Sequence, residues 1–445
     1  MRVKAMVWQQ CMFLMLMLIL LVACAWLDAP PALTPVAVEA TRTPRGPVST
    51  PVATLLPTSP PFPSPEPTPR PPALTIWTTE QAQDLEQISV LAAEFAARAG
   101  IEITVIPKSV TGLRVDLITA NLVESAAPDL IWGNQEDLAG LLIDGQLQPI
   151  ELAVPMDGLL PATLTSATRA EKLWGHPLTA QDFLVLLYNR ALVAEPPRTT
   201  DELIMQSRAV RGGEYHGIVT AWIEAHWLLA WLNGSGGALT TPDGEWPTLN
   251  TPQMIDALNL IRELRVAAPP EQHSYTDGRT LFRTGQVGLT IDGDWAVAGY
   301  TEPDVLADTG IAPMPYVPAT GRRAASALGS SYLMFQRNLE GVELAYAQDL
   351  ARFLTEPQTQ IRLARELDRL PALRSVLADP AVVDNPLLAA AAAQAEDASG
   401  LPPTRGLRCA LRAVNLQLRA VLDETIMQDQ IAQAMQQSAE ACMAE

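Results

Sequence analysis

The sequence lacks the residue patterns that most catalytic and metal sites require. Its four cysteines form no CxxC pair and join no Cys/His cluster, so none has the spacing of a zinc site. The four histidines, His176, His216, His226 and His273, have no metal-ligand spacing either. No GxSxG, HExxH, Walker loop or GxGxxG stands at a predicted strand-to-helix turn. We therefore expect neither a metal nor another cofactor.

Basic residues are also scarce. The 445 residues include 30 lysines and arginines against 49 acidic residues, which gives a net charge of −19. Such a field repels nucleic acid and anionic lipid, and it excludes both as partners. It suits an external protein whose ligand is neutral or cationic. The length allows two domains or one large bilobal unit.

The first 24 residues have the pattern of an export signal. A short basic start precedes an apolar run from Met12 to Val22, which is too short for a stable membrane span. Leu-Val-Ala then leads directly into Cys24, as in the bacterial lipobox. The pattern predicts a signal peptide over residues 1–23 and a lipid on Cys24; the alternative is an uncleaved membrane anchor. Either way, we expect the chain on the outer face of the bacterial cytoplasmic membrane.

A proline-rich segment follows the lipidation site. Fifteen of the 38 prolines fall between Pro30 and Pro72. Proline lacks the backbone donor and fixes φ, so this stretch cannot form a helix or a strand ladder. Residues 24–72 are therefore predicted to be a disordered tether of roughly 150 Å when fully extended.

Two cysteines remain beyond the signal and the lipidation site. They are Cys409 and Cys442, and in an oxidising compartment such a pair can form a disulfide. The alternative is two small buried thiols. We predict the disulfide.

From Ala73 onward, apolar segments alternate with amphipathic helical patterns. Residues 74–77, 101–106 and 128–132 have the pattern of strands. Between the first two, the apolar residues Leu85, Ile88, Leu91, Ala92 and Phe95 fall on one helix face, after a Thr78–Gln81 capping box. Alternating β and α units predict an α/β fold with a parallel sheet covered by helices. Ligands of such sheets bind beyond the carboxyl ends of strands, which here are the loops after Trp77 and Trp132.

Several segments together resemble one protein family. They are Leu74–Trp77, Ala127–Ile131, Leu173–Leu178, Leu187–Arg190, Pro196–Thr199 and Gly285–Trp295. In this order, behind a lipobox, they resemble the maltose-binding-protein branch of the extracellular solute-binding proteins, the capture subunits of ABC importers. The resemblance covers about residues 73–420.

The resemblance implies a two-lobed, type II periplasmic-binding-protein-like fold. Each lobe is a sheet flanked by helices, and a hinge joins the two. Lobe 1 is expected over 73–181 with 313–376, and lobe 2 over 182–312 with 377–445. A solute that touches both lobes favours the closed form. The expected partners are this solute and the permease subunits of the importer, and we expect a monomer.

A sugar-binding cleft needs aromatic surfaces for apolar ring faces, and carboxylates or amides for hydroxyl groups. The resemblance implies an aromatic platform at Trp295, directly after Asp294. The alternative is a core tryptophan that caps the second lobe. It also implies a tryptophan and an acid near Trp132, where Glu136 is the better hydroxyl acceptor. The loop after Trp132 offers Asn134, Glu136 and Asp137.

Further candidate ligand contacts are expected on both lobes. The first loop offers Glu80 and Gln81, and Gln81 has the alternative of a helix cap. The hinge offers Asp182, which as an alternative is a surface acid. The second lobe offers Glu224, His226 and Trp227, of which Trp227 has the alternative of a core residue because Trp222, Trp227 and Trp231 recur at helix-like spacing. Arg405 is the one cation expected near a ligand loop.

Three other functions remain open at this point. A glycosidase also uses paired carboxylates, and Asp182, Glu224 and Asp294 are the acids it would employ. We favour a binder, because no pair of acids belongs to a catalytic motif. A sensory lipoprotein would use the same bilobal fold. A non-sugar solute such as glycerol phosphate or a polyamine is the third alternative.

Overall fold

The computed structural model describes residues 72–122, 127–270 and 275–445. The predictions of a signal peptide, of a lipid on Cys24 and of a proline-rich tether lie outside the described residues, which contain no helix long and apolar enough to cross a bilayer.

The described residues contain two main sheets. The first has the strand order β14-β6-β13-β3-β1-β2, and the second has the order β10-β7-β9-β8. The strands are β1 (Ala73–Thr78), β2 (Glu102–Pro107), β3 (Leu130–Gly133), β4 (Thr168–Arg169), β5 (Lys172–Leu173), β6 (His176–Gln181), β7 (Leu184–Asn189), β8 (His216–Val219), β9 (Val287–Gly293), β10 (Thr309–Ala312), β11 (Tyr316–Val317), β12 (Arg322–Arg323), β13 (Gly329–Phe335) and β14 (Leu370–Pro371). Strands β4 with β5 and β11 with β12 form small two-stranded ladders.

Helices cover both sheets. They are α1 (Ala82–Ala99), α2 (Leu113–Leu122), α3 (Gln135–Ile143), α4 (Pro161–Ala167), α5 (Thr200–Val210), α6 (Ala225–Gly234), α7 (Pro252–Arg265), α8 (Tyr275–Arg283), α9 (Asp294–Val297), α10 (Gly341–Leu354), α11 (Pro357–Leu367), α12 (Pro380–Val383), α13 (Pro386–Ala392), α14 (Arg405–Gln417) and α15 (Gln428–Ala444). The mixture of helices and sheets is the predicted α/β class.

The predicted strands and helix faces form for the expected physical reasons. In α1, Ile88, Leu91, Ala92 and Phe95 are buried against Leu74 of β1 and its neighbours, so the apolar stripe packs on the sheet. Helix α1 ends at Gly100, whose φ of +70° favours glycine.

Two expectations about local structure were wrong. The first sheet is mixed, because β1 runs parallel to β2 and β3, whereas β13 is antiparallel to β3 and β6. The Thr78–Gln81 capping box does not form either. Thr78 still belongs to β1, and the Gln81 side chain makes no cap hydrogen bond at the start of α1. The strand therefore extends over the residue that was expected to cap the helix.

Within the described residues, the chain passes from one sheet to the other at two connections. Strand β6 of the first sheet leads into β7 of the second through Asp182 and Phe183. The chain returns from β10 to β13 through residues 313–328. The two sheets fall within the two predicted lobes, whereas the lobe boundaries stay a prediction. Residues from both sheets therefore meet beside the first connection.

The last two helices are covalently joined. Cys409 on α14 forms a disulfide with Cys442 on α15, with a Cα–Cα distance of 5.6 Å across a sequence separation of 33 residues. Both helices pack on the core of the second sheet through residues such as Val414 and Met435. The predicted bridge thus fastens the end of the chain to the second sheet.

Candidate functional site

Loops from both sheets enclose a cavity of about 480 Å³, which we call the cleft cavity. Its lining residues come from the start of α3, from the end of β6 and the start of β13, from the connection between the sheets, from α6 and α9 beside the second sheet, and from the loop before α14. They are Asn134, Gln135, Glu136, Gln181, Asp182, His226, Trp295, Gly329 and Leu401. The volume lies within the range of small-molecule sites.

Trp295 presents the largest aromatic surface to the cleft cavity. It lies in the short helix α9, directly after strand β9, and 51 % of its surface is exposed. Its ring folds back against Gly293, where an added Cβ would lie 2.2 Å from the nearest ring carbon. The absence of a side chain at Gly293 therefore allows the indole to lie against the backbone, with one part of its surface facing the cavity.

Two other aromatic side chains hold the Trp295 ring. The ring centroids of His226 and Trp227 lie 5.8 and 6.0 Å from that of Trp295. Trp227 is 8 % exposed, and its Nε1–H donates to the carbonyl of Ile291 at 2.9 Å. Trp227 therefore supports the platform from behind and offers a ligand little surface of its own. Burial lowers the pKa of His226 to about 4, so the ring is neutral at physiological pH.

A buried carboxylate, Asp292, bonds to two tyrosines, one of which supports this aromatic cluster. Asp292 accepts hydrogen bonds from the hydroxyl groups of Tyr275 and Tyr300, each at 2.5 Å, and the Arg279 guanidinium lies 3.7 Å away. The Tyr275 ring in turn packs edge-on against Trp227, with 5.6 Å between centroids. Burial raises the pKa of Asp292. Asp292, two residues before Asp294, was not among the predicted site residues, because nothing in the sequence marks it as a partner of two tyrosines.

Two acids meet beside the platform, Asp182 from the connection between β6 and β7 and Asp294 from the start of α9. The backbone N–H of Asp182 donates to Oδ2 of Asp294 at 3.2 Å. Asp182 has a φ of +59°. Its carboxylate lies against Gly329, where an added Cβ would be only 2.2 Å from Asp182 Oδ2, so the absence of a side chain at Gly329 makes room for this acid. Burial raises the pKa of Asp182, and burial together with the charge of Asp182 raises the pKa of Asp294 to about 7. Because each group keeps its proton to a higher pH than an exposed acid does, it can donate hydrogen bonds to a polar ligand as well as accept them.

Some polar residues of the loop after β3 stabilise the local fold, and others line the cavity. Asn134 caps α3 by accepting from the N–H groups of Glu136 and Asp137, and Asp137 accepts from the Asn134 N–H and the Thr79 hydroxyl. Burial raises the pKa of Asp137. These hydrogen bonds use the buried carboxylate of Asp137 to stabilise the loop and the start of α3. Glu136, in contrast, is exposed and lines the cavity. Within the described residues no donor bonds the Glu136 side chain, so it can accept from a ligand.

Acids from the first loop and from the start of α1 lie near Arg369, which was not among the predicted site residues. Arg369 donates to Asp84 Oδ2 at 2.7 Å and to Gln181 Oε1 at 3.2 Å. Burial raises the pKa of Glu80 to about 7 against the opposing charge of Arg369. Nothing near Arg369 in the sequence marks it as a partner of Asp84, which lies far away in the chain. Arg369 directly precedes β14, at the edge of the first sheet.

Four other predicted residues are less well placed for ligand contact. Trp132 is 4 % exposed within the core of the first sheet, and this burial speaks against stacking. Gln81 is exposed and donates to the Thr79 carbonyl, while Glu224 is exposed at the start of α6, outside the cavity lining. Arg405 bonds the Cys442 carbonyl instead of entering the cavity.

The cleft cavity therefore combines one broad aromatic surface with several hydrogen-bond acceptors. Among the described residues there is no group of three metal-ligating side chains. A model of the family described as bacterial extracellular solute-binding protein matches residues 90–390. The chain belongs to this family. The resemblance noted from the sequence is thereby confirmed.

Curated relatives and solved structures agree with this assignment. A maltotriose-binding protein of Pyrococcus abyssi is 27 % identical over 335 residues, covering 71 % of this chain and 70 % of the relative. A galactooligosaccharide-binding protein of Bacillus subtilis is 23 % identical and covers 70 % and 75 %. A cyclo/maltodextrin-binding protein in complex with maltotetraose has a TM-score of 0.74 at 21 % identity, covering 84 % of this chain and 98 % of its own.

Another solved structure fits equally well. A cyclic alpha-maltosyl-1,6-maltose binding protein from Arthrobacter globiformis has a TM-score of 0.75 at 22 % identity, covering 84 % of this chain and 99 % of its own. These similarities show that the fold is the two-lobed type II fold expected from the sequence.

Proposed function

We propose that this extracellular solute-binding protein captures an oligosaccharide, of which a maltooligosaccharide is the first candidate, in the cleft cavity. The observation that carries the proposal is the half-exposed indole of Trp295 beside Asp182, Asp294 and Glu136. A pyranose offers an apolar face to such a ring and hydroxyl groups to such carboxylates. Relatives named for binding maltotriose and galactooligosaccharide support this class of ligand.

The cavity favours a neutral sugar over a phosphate ester. Its lining contains the carboxylates of Glu136 and Asp182 and neither a lysine nor an arginine among the described residues. A phosphate group needs cationic partners, and the start of α3, which belongs to this lining, carries the acids Glu136 and Asp137 in its first turn, which repel an anion. Arg369 lies outside this lining and donates to Asp84 and Gln181.

We also propose that the protein delivers its ligand to the permease subunits of an ABC importer and performs no catalysis. The lipid on Cys24 and the tether over residues 24–72 would hold it on the outer face of the membrane, as a monomer. Labelling with a fatty-acid analogue should mark the native chain and not a Cys24→Ser variant. Equal labelling of both would overturn the anchor.

Binding is tested by thermal-shift screening of the purified protein against a carbohydrate panel, followed by calorimetry. A ligand that binds the native state raises the melting temperature. We expect a shift with maltotriose and longer maltooligosaccharides, and no products in chromatography of the same mixtures. No shift with any carbohydrate would overturn the sugar assignment, and turnover would overturn the assignment as a binder. Loss of maltooligosaccharide uptake in cells that lack the protein would support import, and normal uptake would contradict it.

A further inference from the structure

A second, larger cavity adjoins the cleft cavity at Trp295. Its volume is about 620 Å³, and Trp295 is the residue that lines both cavities. The Asp182 N–H bond to Asp294 lies at this junction, since Asp182 lines the cleft cavity and Asp294 the second cavity. The half-exposed indole thus faces a binding space that continues past it.

The second cavity has an apolar side formed by both parts of the fold. Val297 and Ile311 come from the region of the second sheet, and Leu367 and Leu387 come from the ends of α11 and α13. Ile311, Leu367 and Leu387 are only partly buried. Apolar side chains with open surface in a cavity of this size offer contact to the apolar face of a ligand.

The lining also includes polar residues, which we call the rim, with unused hydrogen-bonding capacity. Two of the five N–H groups of Arg369 donate to Asp84 and Gln181, and the structure gives the other three no acceptor within the described residues. Asp368 Oδ1 accepts from Asn385 at 2.7 Å, while its Oδ2 has no donor in the described part of the chain. Asp368 is exposed and has a φ of +51°. The rim therefore offers both donors and an acceptor to hydroxyl groups.

We propose that the second cavity is an additional saccharide subsite, so that the binding site extends on from Trp295 and takes an oligosaccharide longer than the cleft cavity holds. This inference rests on the proposed function. One face of the occupant packs on the apolar side around Leu387, and its hydroxyl groups bond to Asp368 and Arg369. A ligand that ends at Trp295 makes none of these contacts.

The test measures affinity against ligand length by calorimetry, with maltose, maltotriose, maltotetraose and maltoheptaose and the full chain. Ala298→Trp places an indole at an exposed lining position of the second cavity. Leu306→Trp is the matched control, because Leu306 is 77 % exposed and is not a lining residue. In the native chain and the control, Kd should fall by about tenfold or more from the shortest ligand bound to maltoheptaose. In Ala298→Trp this gain should disappear, while the Kd of the shortest ligand stays unchanged.

A second variant removes the acceptor without filling space. Asp368→Gly suits the positive φ at this position, and it should weaken maltoheptaose binding several-fold without affecting the shortest ligand. Circular dichroism and melting temperature verify that each variant is folded. If native and both variants have the same length dependence, the subsite is refuted while sugar binding stands. If the native chain binds no member of the series, the proposed function fails, and the subsite fails with it.

Discussion

Replacement of Trp295 by alanine removes the surface on which the proposed ligand stacks. A tryptophan buries about 150–250 Å² when it is fully covered, and 51 % of Trp295 is exposed before binding. A ligand can therefore cover on the order of 100 Å² of the ring. At about 25 cal/mol per Å², this contact is worth about 2.5 kcal/mol.

The expected result of Trp295→Ala is a Kd about 60-fold higher than in the native protein, since about 1.4 kcal/mol corresponds to a factor of ten. Calorimetry with the tightest ligand from the carbohydrate panel measures this change. The loss of stability should be small, because the ring is half exposed and its removal leaves no closed cavity in the core.

Trp246→Ala is the matched control for this experiment. Trp246 is 62 % exposed and lies outside the lining of both cavities, so its loss should leave Kd unchanged. Equal affinities of the native protein and a folded Trp295→Ala variant would refute the assignment of the platform. A similar loss in both variants would show that exposed indoles act on binding in some other way.

Three further predictions concern the support of the site and the stability of the fold. Tyr275→Phe removes the hydroxyl that bonds Asp292 and should weaken sugar binding several-fold by loosening the aromatic cluster; unchanged affinity in calorimetry would contradict this. Because Asp294 keeps its proton in the native state up to a pKa of about 7 but loses it near 3.8 when unfolded, the free energy of unfolding should fall from pH 4 to pH 7. Asp294→Asn should flatten this decline in denaturant titrations, and an identical profile would refute it. Cys442→Ser opens a loop of 33 residues and should cost about 3–4 kcal/mol of stability, whereas an unchanged melting temperature would argue against a stabilising bridge.

Local patterns were sufficient to predict several of the strands and helices. The stripe of α7, with Met254, Leu258, Ile261 and Leu264, is buried as its 3.6-residue period indicates. Thr251 caps this helix by accepting from the Met254 N–H. Helix periods and caps depend on residues that are close in the sequence, so they can be predicted from a single sequence.

Features that depend on distant partners could not be predicted in the same way. The antiparallel position of β13 between β3 and β6 follows from the path of the chain through the second sheet, which no local pattern describes. Arg369 reaches Asp84 across a separation of 285 residues. The burial of Trp132 likewise follows from its place on β3, in the interior of the first sheet, between β13 and β1.

The connection at Asp182 has a mechanical consequence. The strands on either side of Asp182 and Phe183 belong to different sheets, and the Asp182 N–H holds a carboxylate that follows β9. Rotation of one sheet against the other has to bend the chain at these two residues, and the bond to Asp294 restricts how Asp182 can turn. Asp182 therefore borders the ligand space and also belongs to the connection at which the two sheets turn, so a ligand that bonds its carboxyl group acts on the angle between the sheets.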